Sequence, residues 1–163
     1  IAMGTRFMMT KESPVPSQTK ESYLSAGIDD IKVTKKFDGL PHRLIFNDYI
    51  KKIDHSNPFT LLWISITSAI KYKQLTQSSY KDLLKAFFAM LKGDDLTISQ
   101  SVMSANSPAI IQKAMVEGFP DEGAMPSGQV AGIITNLPAC EDLVLEIMRD
   151  FDKACSKLEG IRR

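Results

Sequence analysis

The sequence lacks any apolar run long enough to cross a membrane. Its longest apolar stretch, residues 59–70, is interrupted by hydroxyl side chains at four positions, whereas a spanning helix needs about 20 apolar residues. The first 13 residues contain Arg6 and Lys11 but no apolar segment of signal-peptide length. We therefore expect no membrane span.

Cysteine and histidine are also scarce. Cys140 and Cys155 are the two cysteines, and on one predicted helix they would lie roughly 22 Å apart, too far for a disulfide bond. The absence of a disulfide framework predicts an intracellular, cytoplasmic protein. His42 and His55 bring the nitrogen and sulfur ligands to four, spread from 42 to 155, so we expect no metal site.

No stretch carries a cofactor or catalytic motif. The segment Gly123–Gly132 is rich in glycine but lacks the Gly-Lys-Ser/Thr ending of a phosphate loop, and we expect a flexible connector there. Cys140 is followed by Glu141 and Asp142, whose charges oppose thiolate formation. The sequence therefore predicts no cofactor, no catalytic residue and no enzymatic activity.

Length and composition predict one globular domain. The chain has 163 residues, of which 44% are hydrophobic and 24% charged, and such a chain can bury about two thirds of its unfolded surface. Residues 1–20, with Pro14 and Pro16, predict a flexible arm or a processing remnant. Residues 21–163 are expected to form a single helical domain.

Apolar periodicity predicts mostly helices. Residues 31–37 alternate between apolar and polar side chains, which favours a short strand. Helical spacing follows over 42–53, 58–73 and 80–91, and the cap and stop signals predict further helices over about 96–104, 107–118, 129–135 and 138–160. The predicted fold is all-α: a compact six- to seven-helix domain with an extended N-terminal arm and at most a short strand or hairpin near 31–46.

The net charge of +1 conceals an asymmetry between the two parts of the chain. Residues 1–92 contain 14 Lys and Arg against 8 Asp and Glu, and residues 93–163 contain 6 against 11. Such a split favours contact with an acidic partner, or between a basic face of one copy and an acidic face of another.

Three functions remain open at this point. The first is a non-enzymatic assembly or interaction domain that binds itself or another protein, with viral nucleoproteins, matrix proteins and capsid proteins as examples. The second is binding of RNA or single-stranded nucleic acid through a basic surface on residues 32–92, where cations neutralise phosphates and tyrosines stack on bases. The candidate residues are Lys35, Lys36, Arg43, Lys51, Lys52, Lys71, Lys73, Tyr49 and Tyr72. The third is an enzyme with an unrecognised site near the 119–129 loop.

Overall fold

The computed structural model describes residues 2–57, 60 and 98–161. Over these ranges the chain forms five α-helices, two β-strands and three short 3₁₀ helices. The α-helices are α1 (Gly4–Met8), α2 (Ser17–Ser25), α3 (Asp48–His55), α4 (Ile98–Met115) and α5 (Cys140–Ile161). The strands are β1 (Ile31–Thr34) and β2 (His42–Ile45), and the 3₁₀ helices are Ile28–Asp30, Pro120–Glu122 and Ala131–Ile133.

An antiparallel hairpin lies within residues 31–46. Its strands pair from Ile31 opposite Ile45 to Thr34 opposite His42. The predicted helix over 42–53 is therefore wrong in its first part. The helix begins only after Asn47, whose side-chain Oδ1 accepts a hydrogen bond from the backbone N–H of Ile50 at 2.9 Å and so caps α3.

The 119–129 loop is bound to this hairpin. The N–H of Ile45 donates to the carbonyl of Met125 at 3.1 Å, and the N–H of Ser127 donates to the carbonyl of Arg43 at 3.0 Å. Ala124 and Met125 are fully buried. The expected flexible connector is thus a packed segment that extends the sheet beyond β2.

Gly123 lets this segment approach α4. A Cβ at residue 123 would lie 2.4 Å from the carbonyl oxygen of Ile110 and 2.8 Å from the backbone nitrogen of Ala114. Real side chains do not tolerate such distances, so only glycine fits where the loop crosses the helix.

Two apolar clusters lie on either side of the hairpin and its added segment. The first joins residues of α2, β2, α4 and the loops around 125 and 131: Met9, Tyr23, Ala26, Ile45, Ala114, Met125, Ala131 and Ile134. The second joins the hairpin to α3 and α4: Phe37, Leu44, Phe46, Ile50, Ile53, Ile110 and Ala124.

Residues 4–20, part of the segment treated as an arm in the sequence, contribute to this packing. Met9 and Thr10 are buried. The ammonium group of Lys20, also buried, donates to the carbonyl oxygens of Thr10 at 2.7 Å and Ser13 at 2.8 Å. These two bonds tie the irregular segment before α2 to that helix.

The fold-class prediction is wrong, because the described residues combine helices with a sheet. Two predicted helices, over 96–104 and 107–118, form the single helix α4, with Pro108 inside it. α5 occupies the region predicted for the last helix, and the predicted 129–135 helix is reduced to one 3₁₀ turn. The helices predicted over 58–73 and 80–91 lie outside the described residues. No helix within the described ranges is long and apolar enough to cross a membrane.

We expect Asn47→Asp to destabilise the protein by about 2–3 kcal/mol. The Asn47 amide group donates to the carbonyl oxygens of Pro120 and Gly123, and a carboxylate would place oxygen against oxygen there while keeping the α3 cap. The control is Asn57→Asp, because among residues 2–57, 60 and 98–161 the exposed Asn57 uses its side-chain oxygen, which accepts from Thr60, and not its amide nitrogen. Urea unfolding should show a change within about 0.5 kcal/mol for the control. Equal effects of the two substitutions would contradict this assignment.

Burial raises the pKa of the Tyr23 phenol above its ordinary value of 10.0. The hydroxyl donates to the carbonyl of Pro126 at 2.5 Å. Because the folded pKa is raised, the stabilisation is complete below pH 10 and is lost as the pH rises towards the folded-state pKa. We expect Tyr23→Phe to cost about 1 kcal/mol at neutral pH and to leave the tyrosinate absorbance of the native protein unchanged until alkaline unfolding. A smaller native absorbance change in the variant would show that Tyr23 ionises in the folded state.

Candidate functional site

An Asp–His pair lies where the hairpin turn enters β2. The Nε2 atom of His42 is 2.8 Å from Oδ2 of Asp38. The other carboxylate oxygen accepts a hydrogen bond from the backbone N–H of Leu40 at 3.0 Å. The Asp38 side chain is only 4% exposed, whereas that of His42 is 35% exposed.

Packing fixes the orientation of this pair. The ring of Phe37 is fully buried and meets the imidazole edge-on, with ring centroids 5.8 Å apart. Nε2 is buried and makes no hydrogen bond of regular geometry to the described residues, so its contact with Asp38 is a close electrostatic one. A partly exposed imidazole beside a buried carboxylate is an arrangement suited to general-base chemistry.

Further polar groups gather at the same end of the hairpin. The Thr34 hydroxyl donates to Oδ1 of Asp54 at 3.3 Å, and the ammonium group of Lys36 donates to the carbonyl of Asp54. A cavity of about 370 Å³ lies at the C-terminal end of α3. Its described lining residues are Lys52, His55, Ser56, Asn57 and Thr60.

A second cavity, of about 210 Å³, lies near the start of α3. Its polar lining includes the carboxylates Asp30, Asp48 and Asp121, with Lys51 as the one cation among its described lining residues. Throughout residues 2–57, 60 and 98–161, no three His, Cys, Asp or Glu side chains converge in a way that could hold a metal ion. His42 lies beside Asp38, whereas His55 lines the 370 Å³ cavity, so the two histidines do not share a site.

The predicted nucleic-acid-binding residues have separate surroundings. Lys51 lies beside Asp48 at the start of α3, at 3.4 Å, whereas Lys36 reaches Asp54 near its end. Those two positions are about 9 Å apart along the helix axis. Lys35 and Lys52 are exposed, and Arg43 is half-buried in β2. Tyr49 packs against the second apolar cluster, and Lys71, Lys73 and Tyr72 lie outside the described residues.

Glu12 holds the start of α5. Its two carboxylate oxygens accept the backbone N–H of Cys140 at 3.1 Å and 3.0 Å. The pKa of Glu12 is lowered from its ordinary value of 4.5, chiefly by a hydrogen bond from its own backbone N–H; partial desolvation opposes this effect, and the Cys140 N–H adds to it. The Cys140 thiol lies 3.3 Å from the Thr10 hydroxyl.

Sequence reasoning missed the Asp38–His42 pair because it weighed His42 only as a metal ligand. The available signal was local. Asp38 and His42 are four residues apart and flank Gly39 and Pro41, which predict a tight turn that brings the two side chains together.

Comparison with known proteins identifies curated relatives. The model of the nitronate monooxygenase family matches residues 1–150. A (3aS,4S,5R,7aS)-5-hydroxy-7a-methyl-1-oxo-octahydro-1H-indene-4-carboxyl-CoA dehydrogenase from Rhodococcus jostii is 38% identical over 162 residues, which cover 99% of this chain and 46% of that protein. The protein of the same name from Mycobacterium tuberculosis is 35% identical over 150 residues, covering 92% and 42%. The chain thus spans less than half the length of these relatives.

Solved structures with the same fold include FabK from Thermotoga maritima. The TM-score is 0.60 at 22% sequence identity, and the match covers 97% of this chain and 38% of that one. A single-residue mutant of the same protein gives a TM-score of 0.59 and covers 35% of that chain. The fold is therefore part of a TIM-barrel-type architecture, which replaces the predicted all-α domain.

These findings overturn three functional expectations. The non-enzymatic assembly domain, the viral structural protein and the RNA-binding protein are all wrong, because the family and the curated relatives are oxidoreductases. A charge split describes a surface and not a reaction, and lysines on solvated helix faces occur equally on enzymes.

We expect Glu12→Gln to lower stability most at neutral pH. A folded-state pKa below 4.5 means that the carboxylate contributes its full stabilisation above pH 4.5, and that this is lost as the pH falls through the folded-state pKa. Thermal unfolding across the acid range should therefore show a flatter pH dependence in the variant. The control is Glu146→Gln, because the carboxylate of Glu146 is exposed on α5, the helix whose start Glu12 binds. Parallel curves for Glu12→Gln and the unchanged protein would refute the assignment.

Proposed function

This chain belongs to the nitronate monooxygenase family, and we propose that it forms part of an oxidoreductase that dehydrogenates a hydroxylated acyl-coenzyme A thioester. The observation that carries this proposal is the 38% identity to the Rhodococcus jostii dehydrogenase, sustained over 99% of the chain. The Mycobacterium tuberculosis relative of the same name supports it over 92% of the chain.

The substrate class follows from the names of these relatives. Both act on a coenzyme A thioester of a bicyclic carboxylic acid that bears a hydroxyl group. The chain spans less than half the length of either protein. The role proposed for it is therefore that of one part of the enzyme, which contributes some of the residues that carry out the reaction.

Dehydrogenation of a secondary alcohol removes a proton from oxygen and a hydride from carbon. The carbon–oxygen bond becomes a carbonyl, the hydride passes to a two-electron acceptor of the nicotinamide or flavin class, and the proton needs a base. We assign the proton-accepting role to Nδ1 of His42.

The surroundings of His42 support this role. Its side chain is 35% exposed, and so can be reached by a substrate, while Asp38 is almost fully buried. The buried carboxylate 2.8 Å from Nε2 stabilises the imidazolium that forms when the proton arrives, while the edge-on contact with Phe37 orients the ring. Asp38 is thus a positioning residue for His42.

A full-length chimera tests the substrate class. The chain replaces the segment that it matches in the Rhodococcus jostii dehydrogenase, and the product is assayed with the hydroxylated thioester and a two-electron acceptor. We expect formation of the ketone, seen by mass spectrometry as the loss of two hydrogens. A folded chimera that leaves the thioester unchanged, or one that oxidises an alkyl nitronate instead, would overturn the proposal.

Substitutions in the active chimera test the base. We expect His42→Ala to lower kcat by about 100-fold or more, with partial recovery on addition of free imidazole. Asp38→Asn should lower kcat with little change in KM. Glu146→Gln on α5, at an exposed position outside both cavities, is the control, and it should change kcat by less than about twofold. An unchanged kcat in His42→Ala, or no recovery with imidazole, would remove His42 from the reaction.

A further inference from the structure

The cavity of about 370 Å³ at the C-terminal end of α3 is lined by side chains that carry N–H or O–H groups. Its described lining residues are Lys52, His55, Ser56, Asn57 and Thr60. No carboxylate is among these five, whereas the cavity near the start of α3 has three. The lining of the 370 Å³ cavity is therefore suited to an anion.

The carbonyl oxygens of residues 51–54, in the last turn of α3, all accept hydrogen bonds. The donors are the Lys36 ammonium, the His55 ring, and the hydroxyl and backbone N–H of Ser56. Unpaired carbonyl oxygens would give this end of the helix a partial negative charge. Because these four are paired, and one of them with a cation, the helix end does not repel an anion from the cavity.

The cavity retains N–H groups that the described part of the chain does not use. Within that part, the Lys52 ammonium and the Asn57 amide nitrogen make no hydrogen bond or ion pair, since Asn57 binds Thr60 through its oxygen. A carbonyl can only accept, so Nδ1 of His55 carries the hydrogen in its contact with the carbonyl of residue 51. Its Nε2 is then the nitrogen that binds a proton and donates. Lys36, whose ammonium reaches the carbonyl just before His55, adds a second positive charge beside the cavity.

The cavity lies close to the proposed base. Thr34 pairs with His42 across the hairpin, so their side chains share one face of the sheet and their Cα atoms are about 5 Å apart. The Thr34 hydroxyl donates to Oδ1 of Asp54 at 3.3 Å, and Asp54 directly precedes His55 in the cavity wall. A substrate held at His42 therefore has the cavity within reach of a long substituent.

We propose that this cavity binds the phosphate groups of the coenzyme A part of the substrate. The inference rests on the proposed function, in which the substrate is a coenzyme A thioester, as it is in the names of the relatives. In such a thioester a long pantetheine arm separates the acyl group from a diphosphate and a ribose phosphate, which are anions at neutral pH. Lys52 and Lys36 supply positive charge, and the Asn57 amide supplies a directional donor. Charge-assisted hydrogen bonds of this kind are stronger than neutral ones.

Calorimetric titration of the chain measures this contact directly. The probes are coenzyme A, pantetheine, which lacks the nucleotide and all of its phosphates, and flavin mononucleotide, which carries a phosphate of a different origin. We expect coenzyme A to bind at least about tenfold more tightly than pantetheine, because only coenzyme A reaches the cavity with an anion.

Two substitutions test the assigned groups. Lys52→Gln removes the charge, and Asn57→Asp replaces the amide donor by a carboxylate while keeping the oxygen that binds Thr60. Each should weaken coenzyme A binding by at least about tenfold and leave pantetheine binding unchanged. Lys51→Gln is the matched control, because it removes the same charge from the neighbouring position on α3, where Lys51 lies beside Asp48 and outside the described cavity lining. It should change the affinity by less than about twofold. Urea unfolding checks that each variant is folded.

Kinetics in the full-length chimera separate this inference from the proposed function. Lys52→Gln should raise KM for the coenzyme A thioester by about tenfold and leave kcat within about twofold, since the phosphates are bound equally before and during the reaction. With the pantetheine thioester of the same acid it should change neither value. An inactive chimera, beside a chain that binds coenzyme A through Lys52, would remove the proposed function and leave the cavity assignment. An active chimera in which Lys51→Gln and Lys52→Gln have equal effects would do the reverse.

Three results would overturn the inference. They are coenzyme A binding no more tightly than pantetheine, equal losses of affinity in Lys51→Gln and Lys52→Gln, and Lys52-dependent binding of flavin mononucleotide without such binding of coenzyme A. The last result would assign the cavity to the phosphate of a cofactor.

Discussion

The side chain of Asn47 holds together the parts of this structure that surround the candidate site. Its oxygen caps α3, while its amide group satisfies two carbonyls of the 120–123 segment. Those three hydrogen bonds join β2, α3 and the loop that continues the sheet, and all three are made by a residue that is only 8% exposed. A buried amide with both ends used has no isosteric substitute among the other side chains. The apolar clusters on either side of the hairpin depend on the position of this junction.

The candidate site is a consequence of the same hairpin. Antiparallel pairing places Thr34 opposite His42, and α3 returns along the sheet so that Asp54 reaches Thr34. The Asp38–His42 pair lies at the mouth of the turn that joins the strands. The chemistry proposed for His42 therefore rests on strand register and not only on the identity of two residues.

Local signals in the sequence predicted local features well. Gly118, the last residue of a predicted helix, has a φ of +80° just beyond α4, and α5 lies in the region predicted for the last helix. Residues 42–45, which pair with β1, were predicted to be helical because Ile45, Tyr49 and Ile53 fit helical spacing. In the structure, pairing with β1 makes residues 42–45 a strand, and the cap at Asn47 starts the helix only after that residue. The Asp38–His42 pair was missed for a related reason, because charge totals do not report which carboxylate lies beside which imidazole. Membership of a barrel architecture depends on contacts between distant segments.

The segment from Gly123 to Ser127 is constrained at both ends. Glycine contact with α4 fixes one end, and hydrogen bonds to β2 fix the pairing of the other. An inserted residue would turn Met125 away from the core, because side chains alternate between the two faces of an extended segment. This stretch therefore requires a fixed number of residues as well as a glycine at position 123. It cannot vary in length, although variation in loop length is the usual way in which barrel proteins diverge.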